Sequence, residues 1–461
     1  MQSIAQALAT FSAVAWGPWL VTLLLGGGAF FFVYSRFLPF RYFPHAIDLL
    51  RGKYDDHNAP GELSHFRALS SALAGTIGLG NIGGVAVAIH TGGPGAIFWM
   101  WMGAFLGIAT KFFTCTLAVL YRGKDSRGEL QGGPMYVIVE GLGERWRPLA
   151  TFFCLCALVG VFPLFQANQL VQVIRDVLIE PSGLITDPSS LLYFNLFLGL
   201  ATAAVVGLVV IGGIQRIGAA ASRLVPLMVV LYCGMAVWIL ATHIGDIPSY
   251  FALILEDAFS GNAVLGGSIG SVIAIGVKRS AFSNEAGIGT EAMAHGAART
   301  KEPIREGLVA MLGPAIDTLV VCSATAIIIL SSGVWRTSEA NGVTLTAQAL
   351  SEHLPGVGPY LLVVCVFFFG ISTMFSYNYY GVKSLSFLVG AERAYLYNYF
   401  YLPSIVVASV VTASAVIDLI DGMFALMAIP TMTSTLLLSP KVMQAARLYF
   451  GKLEQQGGTV L

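Results

Sequence analysis

Two runs of glycine set in apolar sequence are the residues best placed to do chemistry, and the chemistry is binding rather than bond making. The first reads Ala74-Gly75-Thr76-Ile77-Gly78-Leu79-Gly80-Asn81-Ile82-Gly83-Gly84, the second Gly261-Asn262-Ala263-Val264-Leu265-Gly266-Gly267-Ser268-Ile269-Gly270. Each glycine costs a helix interior about 1 kcal/mol relative to alanine, so both clusters predict local unwinding. Inside a bilayer, backbone leaves the helical ladder only where protein or water satisfies the freed N–H and C=O groups. Freed carbonyls can hold Na⁺, and half-helix N-termini can hold a carboxylate through their amides and positive dipole ends. Gly103-x-x-x-Gly107, by contrast, reads as close helix packing.

Other reactive types are sparse. Asp317 has more than ten apolar-span residues on either side; intramembrane acids are costly and often functional. It either balances a cation or a substrate ammonium, or pairs with a neighbouring helix. Glu285 and Glu291 fall in the polar segment Ser280–Thr300, expected to be a cytoplasmic hairpin or surface helix with a gating or structural role. The six cysteines (115, 154, 156, 233, 322 and 365) lie in apolar spans and read as inert small hydrophobes. The seven histidines are scattered and form no ligand cluster, which argues against a metal centre. Gly78-Leu79-Gly80-Asn81-Ile82-Gly83 is a literal G-x-G-x-x-G, but it lacks the soluble strand before it and an acid about 20 residues on.

The elements that position these residues are membrane helices. With 56% hydrophobic and only 11% charged residues over 461 positions, the chain is too apolar for a soluble protein. Hydropathy predicts an all-α membrane protein of eleven spans near 13–38, 66–90, 92–121, 147–174, 190–213, 217–243, 250–277, 304–333, 357–388, 395–417 and 422–439. Each is about long enough for a ~30 Å hydrocarbon core. On this reading every Lys and Arg except Arg175 and Arg336 falls on one side. Short basic loops stay cytoplasmic, so the N-terminus is expected outside and the C-terminus inside. No Lys or Arg precedes Arg36, so the first apolar run is expected to stay as a span.

The glycine clusters open the second and seventh spans. Spans 2–6 (66–243) and 7–11 (250–439) therefore make two halves of five, and an odd number inverts one against the other. The first span stands outside this inverted repeat and a tail, 440–461, follows it. The whole is one transmembrane domain.

Gly92-Gly93-Pro94-Gly95-Ala96-Ile97-Phe98-Trp99-Met100-Trp101-Met102-Gly103-Ala104-Phe105-Leu106-Gly107 resembles the signature of the sodium:alanine/glycine cation symporter family. Gly80-Asn81-Ile82, Gly133-Pro134-Met135-Tyr136, Gln166-Ala167-Asn168, Phe282-Ser283-Asn284-Glu285-Ala286-Gly287, Ile316-Asp317-Thr318-Leu319-Val320-Val321-Cys322 and Tyr379-Tyr380-Gly381 are similar to the same family, in order, over about residues 60–450.

The resemblance implies a LeuT-type five-plus-five fold and Na⁺-coupled uptake of a small neutral amino acid such as alanine or glycine. By it, Ala74 and Ile77 offer carbonyls to Na⁺, joined by the hydroxyls of Ser372 and Thr373. Thr76, Gly78, Gly80 and Asn81 line the amino-acid pocket, with Gly266, Gly267 and Ser268 opposite and Gln166 and Asn168 as a further polar wall. Leu79 stands where the family has a small hydroxylated residue, and Tyr377 where it has tryptophan. Both therefore bear on pocket size and substrate choice.

The expected function is secondary active transport by alternating access, in a prokaryotic cytoplasmic membrane. Na⁺ is the expected coupling ion, with H⁺ coupling or an amino-acid channel as alternatives. No cofactor, no nucleic acid and no enzymatic activity are expected, since no nucleophile–base or metal set clusters at membrane depth. A monomer in the lipid bilayer is the simplest assembly.

Overall fold

A computed structural model of the chain describes residues 2–183, 185, 187–259, 269–411 and 414–455. Apart from one two-stranded patch, Gly123–Lys124 against Leu130–Gln131, the secondary structure of these residues is helical.

Helices α1 (Gln2–Ala15) and α2 (Pro18–Tyr34) meet at Gly17, where Pro18 opens α2 without needing an N–H donor. Taken together, Ile4–Tyr34 is long enough to cross a membrane and starts well before the predicted residue 13. Next come α3 (His65–Thr76) and α4 (Val85–Gly92), either side of a break, then α5 (Gly95–Leu120), α6 (Arg147–Gly160), α7 (Leu164–Ile174), α8 (Pro188–Val210), α9 (Gly213–Thr242) and α10 (Ile247–Phe259). A second break separates α11 (Ile269–Asn284) from α12 (Thr290–His295). Helix α13 (Pro303–Ala310) leads through a π-helical stretch, Ala315–Cys322, into α14 (Ser323–Ser332); α15 (Gly358–Val389), α16 (Leu396–Val410), α17 (Ser414–Leu426) and α18 (Ala428–Gln455) complete the chain. Among the described residues eight helical runs have the length and apolarity to cross a membrane. The pair α3/α4, bent by 54° at its break, makes a ninth, and α16 is a shorter apolar helix.

Helix α5 sits inside the bundle against α2, α11 and α13. A Cβ at Gly103 would stand 2.7 Å from Ser280 Oγ, and one at Gly107 would stand 2.9 Å from Ala286 Cβ. The small-residue spacing therefore does what it predicts and lets α5 and α11 touch. Helix α3 lies against α9, α12 and α15, which places the first break at the bundle's centre.

The segment Ser280–Thr300 departs from expectation. It is buried nearly throughout, not a surface hairpin, and Lys278 and Arg279 lie inside α11 rather than in a loop. Its polar groups lower the hydropathy, yet most of them are satisfied by one another or by neighbouring helices, which is what allows the burial. The helix breaks here through left-handed Glu285 (φ 57°), Gly287 (φ 84°) and Gly289 (φ 102°). Of the predicted second glycine cluster, residues 261–268, including Gly266, Gly267 and Ser268, lie outside the described residues; Ile269 and Gly270 begin α11.

Candidate functional site

The first break is built by a change of hydrogen-bond partner. Ile77 leaves α3 with ψ 91°, its N–H still bonded to the Leu73 carbonyl at 2.7 Å. The next amide, Gly78 N–H, donates to Asn81 Oδ1 at 2.9 Å, so the Ala74 carbonyl loses its helical donor. Asn81 N–H returns to the Gly78 carbonyl at 3.1 Å, and the chain re-enters helix through the π turn Gly80–Gly84. Glycine is needed at 78 because a Cβ there would meet Thr373 Oγ1 at 2.5 Å. That contact sets the Thr373 hydroxyl against the break.

Ser372 and Thr373 each donate to their own helix, to the Phe369 carbonyl at 3.0 Å, and Ser372 also lies 3.7 Å from Met228 Sδ. Such back-bonding uses the hydroxyl protons and leaves oxygen lone pairs. A freed carbonyl beside a hydroxyl oxygen is the hard-oxygen donor set that an alkali cation takes. Among the expected Na⁺ ligands, the structure thus brings Thr373 to the break that carries Ala74 and Ile77.

Asn81 is fully engaged. Its Nδ2 donates to Asp317 Oδ1 at 2.7 Å and to the Asp317 carbonyl at 3.2 Å, while Oδ1 holds Gly78 N–H. Asp317 Oδ2 accepts from Ser283 Oγ at 2.6 Å and from Thr318 Oγ1 at 2.8 Å. Asp317 is therefore a knot tying the first break to α11 and to the π-helical stretch, the neighbouring-helix reading of its role.

The second break faces the same region. Glu285, buried, accepts from Tyr377 Oη at 2.8 Å and from Thr290 Oγ1. Asn284 Oδ1 takes Ala286 N–H at 3.0 Å, and Thr431 Oγ1 donates to the Ile288 carbonyl at 2.8 Å. A small aromatic cavity adjoins this break, lined by Phe162, Gln166, Phe282, Tyr377, Asp421 and Phe424 among others. Gln166 Oε1 is buried there with no hydrogen-bond partner among the described residues. A Cβ at Gly80 would stand 3.3 Å from the Phe282 ring, so the first break abuts the cavity wall, and Leu79 is buried facing Gly370. Asn168, an expected pocket residue, turns elsewhere, its Nδ2 donating to the Ala408 carbonyl at 3.4 Å; Thr76 Oγ1 donates back to the Leu73 carbonyl of its own helix at 3.5 Å. A second, larger cleft beside Trp101 and Phe251 is almost wholly apolar, so it lacks the convergent polar groups of a solute site.

Comparison with known proteins decides the family. The model described as the sodium:alanine symporter family matches residues 1–460. The chain belongs to that family. It is 37% identical over 447 residues to the sodium/alanine symporter AgcS of Methanococcus maripaludis, covering 95% of this chain and 96% of that one. It is 34% identical over 441 residues to the probable sodium/glutamine symporter GlnT of Bacillus subtilis, covering 94% and 88%. The crystal structure of MhsT in complex with L-phenylalanine shares the LeuT-type fold, with a TM-score of 0.53 at 14% identity over 84% of this chain and 99% of that one. This symporter-family member is a multi-pass membrane transporter and not an enzyme.

Sequence reasoning missed how the two breaks are fastened together at one end. Leu63, just before α3, pairs in parallel with Ala298, just after α12. Arg299 N–H donates to the Leu63 carbonyl at 2.6 Å and Thr300 N–H to the Pro60 carbonyl at 3.1 Å. The Arg122 guanidinium crosses both strands, donating to the carbonyls of Gly296 at 2.8 Å, Pro60 at 3.3 Å, Thr300 at 3.4 Å and Ala298. Burial pulls this guanidinium down to about 10, so it stays charged at neutral pH. Beneath it His65 and His295 share one carboxylate, their Nδ1 atoms meeting the two oxygens of buried Glu306. No spacing signals this cluster, because its three members come from three helices.

Proposed function

We propose that this chain is a Na⁺-coupled symporter of a small neutral amino acid, alanine or a close relative, moving substrate into the cell by alternating access. The observation that carries the reading is the Gly78 amide turned to Asn81, which frees the Ala74 carbonyl in the break whose Gly78 packs against the Thr373 hydroxyl. Na⁺ sits among these oxygens, and the substrate occupies the cavity between the two breaks, under Gln166 and Tyr377. The substrates for which the two relatives are named, alanine and glutamine, support a neutral amino acid.

In this reading the chain crosses eleven times. The seventh crossing is Ile269–His295, so that α3/α4 and α11/α12 are the broken first helices of two inverted halves of five, after the extra span Ile4–Tyr34. The fastened ends, Leu63 and Ala298, face the cytoplasm of a prokaryotic cell, which puts the N-terminus outside and the C-terminus inside, as the basic residues require. Inversion explains why the start of one broken helix meets the end of the other.

The test is uptake by purified protein in proteoliposomes, screened across the twenty amino acids with and without an inward Na⁺ gradient. Saturable accumulation of small neutral amino acids that requires the gradient supports the reading. Equal accumulation without Na⁺ moves the coupling to another ion such as H⁺, and equilibration without accumulation leaves a uniporter or channel.

A further inference from the structure

At the C-terminal end of α2 the chain turns in a way its residues do not favour. Arg36 N–H donates to the Val33 carbonyl at 2.9 Å and Phe37 N–H to the Phe32 carbonyl at 3.2 Å, the paired bonds of a Schellman ending. Phe37 packs edge-on against Phe32 with ring centroids 4.4 Å apart, the apolar contact that accompanies such an ending. The position that must be left-handed there, usually filled by glycine, holds Arg36 at φ 54°, and Phe37 follows at φ 60°. Among the described residues the one other non-glycine with positive φ is Glu285, at the second break. Backbone strain of this kind persists where the surroundings over-determine it, and it gathers at ligand sites.

The turn opens a cleft of about 340 Å³ between the end of α2, the short helix Leu38–Arg41 that follows it, and α18. Arg36 and Arg41 reach it from the corner and Arg447 from α18, all three exposed, with Glu454 the single acid among the lining residues. None of the three guanidinium groups has a hydrogen-bond or ion-pair partner among the described residues. Three positive charges against one negative leave the cleft positive by two, which draws an anion. Tyr34 and Tyr42 also line it and carry hydroxyls able to donate to an anionic oxygen. Behind them the wall is apolar, with Tyr42 stacked on Phe450 at 3.7 Å between centroids.

The cleft runs on into surface that a bilayer covers. Tyr34 stacks at 5.2 Å on Phe30, one turn back along α2, and both rings are partly exposed on a helical run long enough to cross a membrane. A free anion uses the arginines and leaves this aromatic track bare. A phospholipid uses both.

From the left-handed Arg36, the three unpaired guanidinium groups and the apolar track beside them, we infer that this cleft binds the phosphodiester headgroup of an anionic phospholipid. Arg36, Arg41 and Arg447 hold its phosphate oxygens through charge-assisted N–H donors, and an acyl chain follows Tyr34 and Phe30 towards the middle of the bilayer. The lipid bridges α2 and α18, which already touch, and so strengthens the seam between the first and last membrane-length helical runs. The site itself does not depend on what the chain transports. Its leaflet, the cytoplasmic one, rests on the orientation proposed above.

The test is native mass spectrometry of the full-length protein in detergent, which counts bound lipids one at a time during titration. The first phosphatidylglycerol should bind about tenfold more tightly than the first phosphatidylcholine. Arg36→Gly and Arg447→Gln should each weaken it about fivefold, and Glu454→Gln should strengthen it about fivefold, with phosphatidylcholine unaffected throughout. Arg36→Gly puts the favoured residue in the turn, so its melting temperature should be unchanged or raised even as lipid is lost. Equal binding of the two lipids, or wild-type affinity for phosphatidylglycerol in folded Arg36→Gly and Arg447→Gln, overturns the inference. Inorganic phosphate that raises the melting temperature of the wild type but not of Arg36→Gly, with no preference for phosphatidylglycerol, gives the cleft to a free anion and overturns the lipid. No step of this test uses transport, so a failed uptake assay leaves the inference standing.

Discussion

Tyr377 Oη donates to Glu285 Oε1 at 2.8 Å, joining the middle of α15 to the left-handed residue that breaks α11 from α12. The same ring lines the aromatic cavity beside Phe282 and Phe424. Tyr377 thus has two separable jobs, one for its ring and one for its hydroxyl.

Substitution separates them. Tyr377→Ala should shift the preference towards larger neutral amino acids, by a graded ~1–3 kcal/mol rather than an absolute switch, because pocket volume alone discriminates weakly. Tyr377→Phe should keep the ranking while lowering the uptake rate, since Glu285 retains only its Thr290 donor. Competition of labelled alanine uptake by the other amino acids reads both; an unaltered ranking in Tyr377→Ala makes the ring a packing element only.

Thr373→Ala should raise the Na⁺ concentration for half-maximal uptake by about tenfold, equivalent to ~1.4 kcal/mol of ion binding, because one hard oxygen beside Gly78 is lost. Thr373→Ser should restore it. A Na⁺ titration of initial rates settles the matter, and an unchanged midpoint in correctly inserted Thr373→Ala takes the hydroxyl out of the ion site.

Asp317→Leu should strand the donors of Asn81, Ser283 and Thr318 in the bundle's interior. A hydrogen bond to a charged group contributes ~1.5–3 kcal/mol, so the thermal transition in detergent should fall and uptake should be lost. Asn81→Ala should give a similar loss by freeing Gly78 N–H. A wild-type melting profile for Asp317→Leu contradicts the knot.

Orientation is checked by single cysteines on the two faces. A cysteine at Asn341, which caps a helix after α14, should react with an impermeant maleimide on intact cells, and one at Gln455, at the end of α18, should react only after permeabilisation. The reverse pattern inverts the topology.

Much of the helical membrane fold was legible because bilayer length acts on whole segments. Gly75–Gly84 announced the first break for a local reason: glycine's backbone cost has few uses inside an apolar helix. Of the run expected to hold the second break, residues 261–268 lie outside the described residues, and the break that the structure describes falls further along the chain. At Glu285, Gly287 and Gly289 the surrounding Ser, Asn, Glu and Thr look hydrophilic in sequence, and only their partners on α5, α15 and α18 reveal that they are buried. The site was legible to the same degree. Thr373, Gly78, Gln166 and Tyr377 can each be singled out in the sequence, whereas the alliance of Asn81 with Asp317, or of His65 and His295 on Glu306, depends on distant segments meeting.

The guanidinium of Arg122 has a consequence for leakage. One side chain grips the lead-in to α3 and the exit from α12 together, so an arm that swings away alone strips the buried guanidinium of part of its acceptors. In the transport reading proposed above, a seam held by one buried cation favours opening as a unit, which keeps ions from streaming through a door left ajar.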